Sequence, residues 1–197
     1  NAGEVASGIA VTMLADGLKT ALHAGLPEQG QGPFVKSEIE RTNGAIYQTA
    51  QSQPQFSGMG TTLVCALFRD NRITVAHVGD SRLYRYRQMG DEPAQFEQIT
   101  RDHSLLQEQI DSGMISREDA RLSSNKNLVT RALGVDPTVD VEVQEHEALP
   151  GDIYLLCSDG LNDMVGDEEI QLALSTLGSN LELAARQLVQ MANDNGG

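Results

Sequence analysis

Two acids four residues apart, Asp159 and Asp163, follow the apolar run Ile153-Tyr-Leu-Leu-Cys157. Such a run reads as a buried strand. Ser158-Asp159-Gly160 ends it abruptly and delivers a carboxylate at its C-terminal end. A buried strand closing in two near acids can cradle a hard divalent cation such as Mg2+ or Mn2+. The same residues also suit an ordinary Asp-Gly turn. Residue 80 repeats the pattern, because Ile73-Thr-Val-Ala-His-Val-Gly-Asp80 is a strand-like run that ends in Gly-Asp-Ser-Arg. If the two strands share an inner face, their ends bring Asp80 and Asp159 together. Two-metal hydrolysis of phosphate esters needs several such acids. One ion activates a water, and both neutralise charge developing on the phosphoryl oxygens.

The elements that must position these acids are readable from periodicity. Val5, Ile9, Met13 or Leu14, Leu18 and Leu22 form one helical stripe over 2–24, stopped by Gly25. A Gly/Pro/Gln-rich loop to residue 33 precedes a second helix over 37–51, capped at Ser37. Strands are expected over 61–68, 73–78, 82–87 and 95–99 as an antiparallel meander, with Asp70-Asn71 as a hairpin turn. The stretch 102–134 reads as polar and helical. Strands over 139–143 and 153–157 and helices over 167–177 and 180–192 complete the chain. Helices, then strands, then helices indicate an α+β fold with helices packed outside stacked antiparallel sheets.

Composition narrows the function classes. A chain of 197 residues suits one domain and needs no disulfide to hold its core. Without a run of ~18 apolar residues, no transmembrane helix is expected. Cys65 and Cys157 sit in apolar runs without ligand spacing, as small hydrophobes in a reducing, cytoplasmic compartment. The net charge of −14 disfavours nucleic acid and anionic membranes as partners and favours local cation binding. An anionic substrate then requires metals or placed arginines to reverse the field at the site. His77 reads as a structural histidine, while His103, beside Asp102, could assist proton transfer. No Cys-x5-Arg-like loop supports a cysteinyl-phosphate route.

Val78-Gly-Asp-Ser-Arg82, Thr100-Arg-Asp-His-Ser104, Val129-Thr-Arg-Ala-Leu-Gly134 and Cys157-Ser-Asp-Gly-Leu-Asn-Asp163 occur in this order, after Gly58-Met-Gly-Thr-Thr62. Each is weak alone; five in order are specific. Together they closely resemble the bacterial-type metal-dependent (type 2C, PPM) protein serine/threonine phosphatases over essentially the whole chain. The opening Asn1-Ala-Gly-Glu-Val-Ala-Ser7 is similar to the residues that follow that family's Asp-Gly-x-Gly-Gly metal motif.

The resemblance implies a four-layer α-β-β-α sandwich over a single catalytic domain, 1–197, with a flap at about 103–128. It implies that Asp159 ligates the catalytic metals and that Asp80 helps hold a third, weaker one. Asp163 would act through metal-bound water. His103 and Ser104 fall at the flap, and Arg131 falls near substrate. The cofactors implied are two Mn2+ or Mg2+ ions, with a third in some members. The implied activity is hydrolysis of phosphoserine and phosphothreonine by a metal-activated water. Its substrates would be phosphoproteins made by a bacterial serine/threonine kinase, and the protein a monomer. The family's first metal aspartate would precede Asn1, and its last ligand lies beyond the point where this chain ends, so the domain is expected to be trimmed at both ends. Asp194-Asn195 lies ahead of the glycines and is not taken as that last ligand. Two other readings stand beside the enzyme: a catalytically impaired regulatory or binding module, and a phosphoesterase for small molecules.

Overall fold

The computed structural model describes residues 2–26, 30–123 and 128–197. Asn1, residues 27–29 of the expected loop and 124–127 of the expected flap lie outside these. The chain forms two compact units, Asn1–Asp80 with Asp102–Glu147, and Ser81–Arg101 with Ala148–Gly197.

The first unit begins with helices α1 (Ala2–His23) and α2 (Gln31–Ser52), packed along each other. Its sheet has the order β1 (Leu63–Arg69), β2 (Arg72–Val78), β5 (Glu142–Glu147), antiparallel throughout. Ala6, Ala10 and Leu14 of α1 and Val35, Ile39 and Ile46 of α2 bury against Leu67, Ala76 and Val78 of the sheet. β2 is central and is buried from Ile73 onward, as its continuous apolar run requires. Arg69 pairs with Arg72 across the two-residue Asp70-Asn71 turn, where Asp70 takes the left-handed conformation at φ 52°. β5 is an edge strand, and its charged Glu142-Val-Gln-Glu-His-Glu147 sequence suits an edge that must not pair further. Two short helices, α3 (Leu105–Asp111) and α4 (Arg117–Arg121), follow residue 104, each capped by a serine hydroxyl, Ser104 and Ser116.

The second unit has the sheet order β4 (Gln95–Gln98), β3 (Arg82–Arg87), β6 (Ile153–Cys157), again antiparallel. A single-turn helix α5 (Asp159–Asn162) precedes α6 (Asp167–Leu177) and α7 (Leu181–Asp194). Tyr86, Ile170, Leu174 and Leu188 form its core. Tyr84 is fully buried, stacks on Phe96 at 5.1 Å, accepts from Arg82 at 2.8 Å and donates to Asp167 at 3.3 Å.

The α+β class with two antiparallel sheets agrees with the sequence reading, but four local expectations are corrected. The first four strands are not one meander, because β2 pairs with β1 and β5 while β3 pairs with β4 and β6. The Gly79-Asp80-Ser81 turn carries the chain from one sheet to the other. α2 starts at Gln31 rather than 37; Pro33 sits in the first turn, where its missing N–H costs nothing, and Gly32 lies against Val143. The strand expected over 139–143 runs over Glu142–Glu147, in register with Arg72 to His77. Finally, α1 is long and apolar enough by length and composition to cross a membrane. Here its Ala6, Ala10 and Leu14 belong to the core of the first unit.

Candidate metal centre

In the second unit, β6 runs antiparallel to β3, with Arg82 opposite Cys157, and turns directly into α5. Asp159 is the first residue of that turn and Asp163 its C-cap, with the Asp163 amide donating to the Asp159 carbonyl at 2.9 Å. Residues four apart on a helical turn share a face. Asp159 is half-buried and Asp163 exposed. The turn is anchored from behind, because Asn195 donates from its side chain to the Met164 carbonyl at 2.8 Å. Asp194 accepts from Gln190 at 2.7 Å. Asp194-Asn195 is thus occupied as a helix end.

In the first unit, Asp80 lies two residues past the end of β2 and is buried. The residue before it, Gly79, has φ +106°, and a Cβ there would lie 2.5 Å from Thr62 Cγ2 and 3.3 Å from the Arg131 carbonyl. Only glycine meets both demands. Four of the motifs singled out in the sequence therefore meet at one point. Thr62 crowds Gly79 from one side and Arg131 from another, and His103 bonds it twice. The Gly79 amide donates to His103 Nδ1 at 3.1 Å, and the His103 amide donates to the Gly79 carbonyl at 3.0 Å. Gly134, at φ +85°, donates to Asn43 Oδ1 at 2.7 Å, which fastens the 129–134 motif to α2.

His103 is buried, and its ring stacks on His77 with centroids 4.5 Å apart and planes at 14°. Since Nδ1 accepts the Gly79 amide, the proton sits on Nε2, which donates to Glu142 Oε2 at 3.1 Å. Burial lowers the His103 pKa below the ordinary histidine value; Glu142 opposes this, and His77 and Arg131 add to it. The ring is therefore neutral at pH 7. Arg131 pairs with Asp140 at 2.9 Å, and its Nη1 lies 3.4 Å from His103 Nε2. Ser104, also buried, bridges Val129.

Of the residues expected from sequence, the structure brings His103 and Arg131 together at Gly79, sets Ser104 beside His103 against Val129, and places Asp159 and Asp163 on one turn. Glu142, His77 and Asn43 had no sequence signal as site residues. The polar register of β5 hides Glu142 among like residues, and His77 looked like one more member of a strand.

In the second unit, Asp159 and Asp163 are hard oxygen donors on one helical turn after β6, a donor type that suits Mn2+ or Mg2+. In the first unit, Asp80 is a carboxylate of the same type. His77, His103 and Glu142, also in the first unit, form a group with ligand atoms within 4.8 Å of one another. Hydrogen-bond polarity argues against that group: a metal on His103 Nε2 needs the lone pair that the Nε2 proton occupies, and moving this proton to Nδ1 would set it against the Gly79 amide. Burial pushes the Cys65 thiol up to about 11, so it packs as a neutral hydrophobe.

Comparison with known proteins gives this arrangement a family. The protein phosphatase 2C family model matches residues 5–196. The serine/threonine phosphatase stp of Listeria welshimeri serovar 6b is 38% identical over 198 residues, covering 100% of this chain and 75% of that protein. The serine/threonine protein phosphatase PstP of Mycobacterium tuberculosis H37Rv is 37% identical over 201 residues, covering 100% of this chain and 36% of that protein. The crystal structure of the Mycobacterium tuberculosis phosphatase PstP/Ppp superposes with a TM-score of 0.86 at 36% identity, over 99% of this chain and 77% of that one. A PstP catalytic domain in complex with two manganese ions superposes with a TM-score of 0.83 at 36% identity, over 99% of this chain and 76% of that one. Five ordered motifs, two antiparallel sheets and these likenesses agree: the chain belongs to the protein phosphatase 2C family.

Proposed function

We propose that Asp159, Asp80 and Asp163 hold the divalent cations of a protein serine/threonine phosphatase, with Asp159 as the central ligand. The observation that carries this reading is the end of β6, where the strand delivers Asp159 and Asp163 to one face of a single helical turn. When bound, Mn2+ or Mg2+ supplies an activated water and neutralises charge on the phosphoryl oxygens. The chain's own residues do the rest. The Gly79 turn sets the backbone that carries Asp80, and the Asn195 side chain holds the α5 turn through Met164. Arg131, partly exposed and paired with Asp140 at 2.9 Å, is the arginine we assign to the phosphoryl group of the substrate.

The segment 103–128 acts as a substrate-facing flap on one catalytic domain spanning 1–197. Support comes from its base, where the Leu105 amide bonds the Leu128 carbonyl at 2.9 Å and the Thr130 amide bonds the His103 carbonyl at 2.9 Å. Substrates are phosphoproteins, and the names of the relatives point to the same class. We place the protein in the cytoplasm, as a monomer that reverses the work of a bacterial serine/threonine kinase.

The test is hydrolysis of a phosphothreonine peptide by the full-length protein, with Mn2+ titrated in and EDTA as control. Wild type should turn over only with metal, and Asp159→Asn should fall to background. Turnover that survives EDTA, or an Asp159→Asn variant at the wild-type rate, would refute the assignment. A binding module would instead retain the phosphopeptide without hydrolysing it.

A further inference from the structure

His103 makes more connections to the Asp80 turn than a core histidine needs. Its backbone amide and ring nitrogen both bond Gly79, at 3.0 and 3.1 Å. Its Nε2 proton is held by Glu142 on β5, and its face lies against His77, three residues before Asp80. Its carbonyl accepts from Thr130, and Ser104 beside it bridges Val129, at the base of the 103–128 segment. A residue gripped on five sides has one geometry, and it transmits that geometry to Gly79.

We propose that His103, braced by Glu142, is a positioning residue: it sets the backbone of the Gly79 turn and so the direction in which Asp80 presents its carboxylate to a cation. This rests on the reading of Asp80 as a metal ligand. Three observations carry it. Gly79 has a conformation closed to side-chain residues, so the turn has little latitude once its amide is claimed. The acceptor for that amide is a side chain rather than another strand, so the ladder does not impose the turn. Glu142 accepts from Nε2 and thereby keeps Nδ1 free of a proton, the only state in which the ring can accept the Gly79 amide. The Glu142–His103–Gly79 relay also joins the edge strand and the base of the 103–128 segment to the same turn.

The closing experiment measures Mn2+ binding by calorimetry, amide hydrogen exchange at Gly79, and thermal melts in EDTA, all on the full-length protein. His103→Leu removes the relay. His103→Asn keeps an acceptor near the Nδ1 position. Glu142→Ala removes the brace at a partly exposed site that the fold should tolerate. Outer-shell losses of this kind weaken metal affinity by about 10- to 100-fold. We expect at least about tenfold weaker binding of the weakest ion in His103→Leu, several-fold in Glu142→Ala, and recovery in His103→Asn, with Gly79 exchange accelerated in the same order. A lower melting temperature with unchanged Mn2+ affinity would mean that His103 only fills the core, and would overturn the proposal. Should His103→Leu not fold, unchanged affinity in Glu142→Ala has the same force. If wild type binds no Mn2+, the assignment of Asp80 fails instead, and Gly79 exchange still decides whether the clamp exists.

Discussion

Replacing Asp152 by alanine should destabilise the protein by about 3 kcal/mol without touching its chemistry. Arg87 Nε and Nη2 each donate to an Asp152 carboxylate oxygen at 2.7 Å, and the two side chains are 14% and 2% exposed. The same carboxylate accepts from the Leu149 amide at 2.8 Å and the Tyr154 hydroxyl at 3.1 Å. Breaking a buried, hydrogen-bonded ion pair costs about 3–5 kcal/mol. The lower figure applies because Arg87 retains some access to water. Asp152→Asn keeps an acceptor oxygen and should cost about half as much. For a chain of this size a loss of about 3 kcal/mol lowers the melting temperature by roughly 6–12 °C. Asp152 precedes Ile153, at the far end of β6 from Asp159. Five strand residues at about 3.3 Å each separate them by roughly 17 Å, so metal-dependent turnover at low temperature should be unchanged. Burial alone would raise the Asp152 pKa, but the bonds from Arg87, Leu149 and Tyr154 outweigh it and hold the value below the ordinary carboxylate. The contribution is therefore complete above the unfolded value of about 3.9 and is lost as pH falls through the folded value. Urea unfolding followed by circular dichroism at pH 7, and again in the acid range below pH 4, measures both. A difference under about 1 kcal/mol at pH 7 would put the pair among solvent-screened ones and refute the argument. So would a gap between wild type and Asp152→Asn that fails to shrink in acid.

Asn43→Ala should cost about 2 kcal/mol in urea unfolding, because Asn43 is buried and its amide serves both the Gly134 N–H and the Asp136 carbonyl. Gly79→Ala should cost more than about 2 kcal/mol in the same assay, from a positive φ and a methyl driven into Thr62. Nitrogen-15 NMR should find His103 as the Nε2–H tautomer with a pKa below the ordinary 6.5. Because the unfolded chain takes up that proton first, the His103 contribution to stability should decline as pH falls from about 6.5 toward the folded value. A His103 that titrates at or above 6.5 would contradict the burial argument.

Much of the fold was legible locally. β3 and β6 run over the expected 82–87 and 153–157, and α6 over the expected 167–177. The first turn of α2 was not legible, because Gly30, Gly32 and Pro33 carry the same local signal whether they end a loop or open a helix. The sheet assignments were not legible either. β2 and β3 are separated by a short Gly-Asp-Ser turn that would equally close a hairpin, and only the competition of β5 for β2 and of β6 for β3 separates them.

For the site, the sequence by itself pointed to the proposed donors. Asp80, Asp159 and Asp163 stand just past apolar runs, and motif order points to phosphate chemistry, because residue type and burial pattern are local properties of the chain. Only the tertiary structure decided which groups His103 bonds. His103 meets Glu142 39 residues away and Gly79 24 residues back. Its tautomer follows from which neighbour donates and which accepts. Such partnerships depend on strand register and on contacts between distant segments. These leave no periodicity in the residues that make them, so a histidine that sets a turn and one that fills a core look alike until the chain is folded.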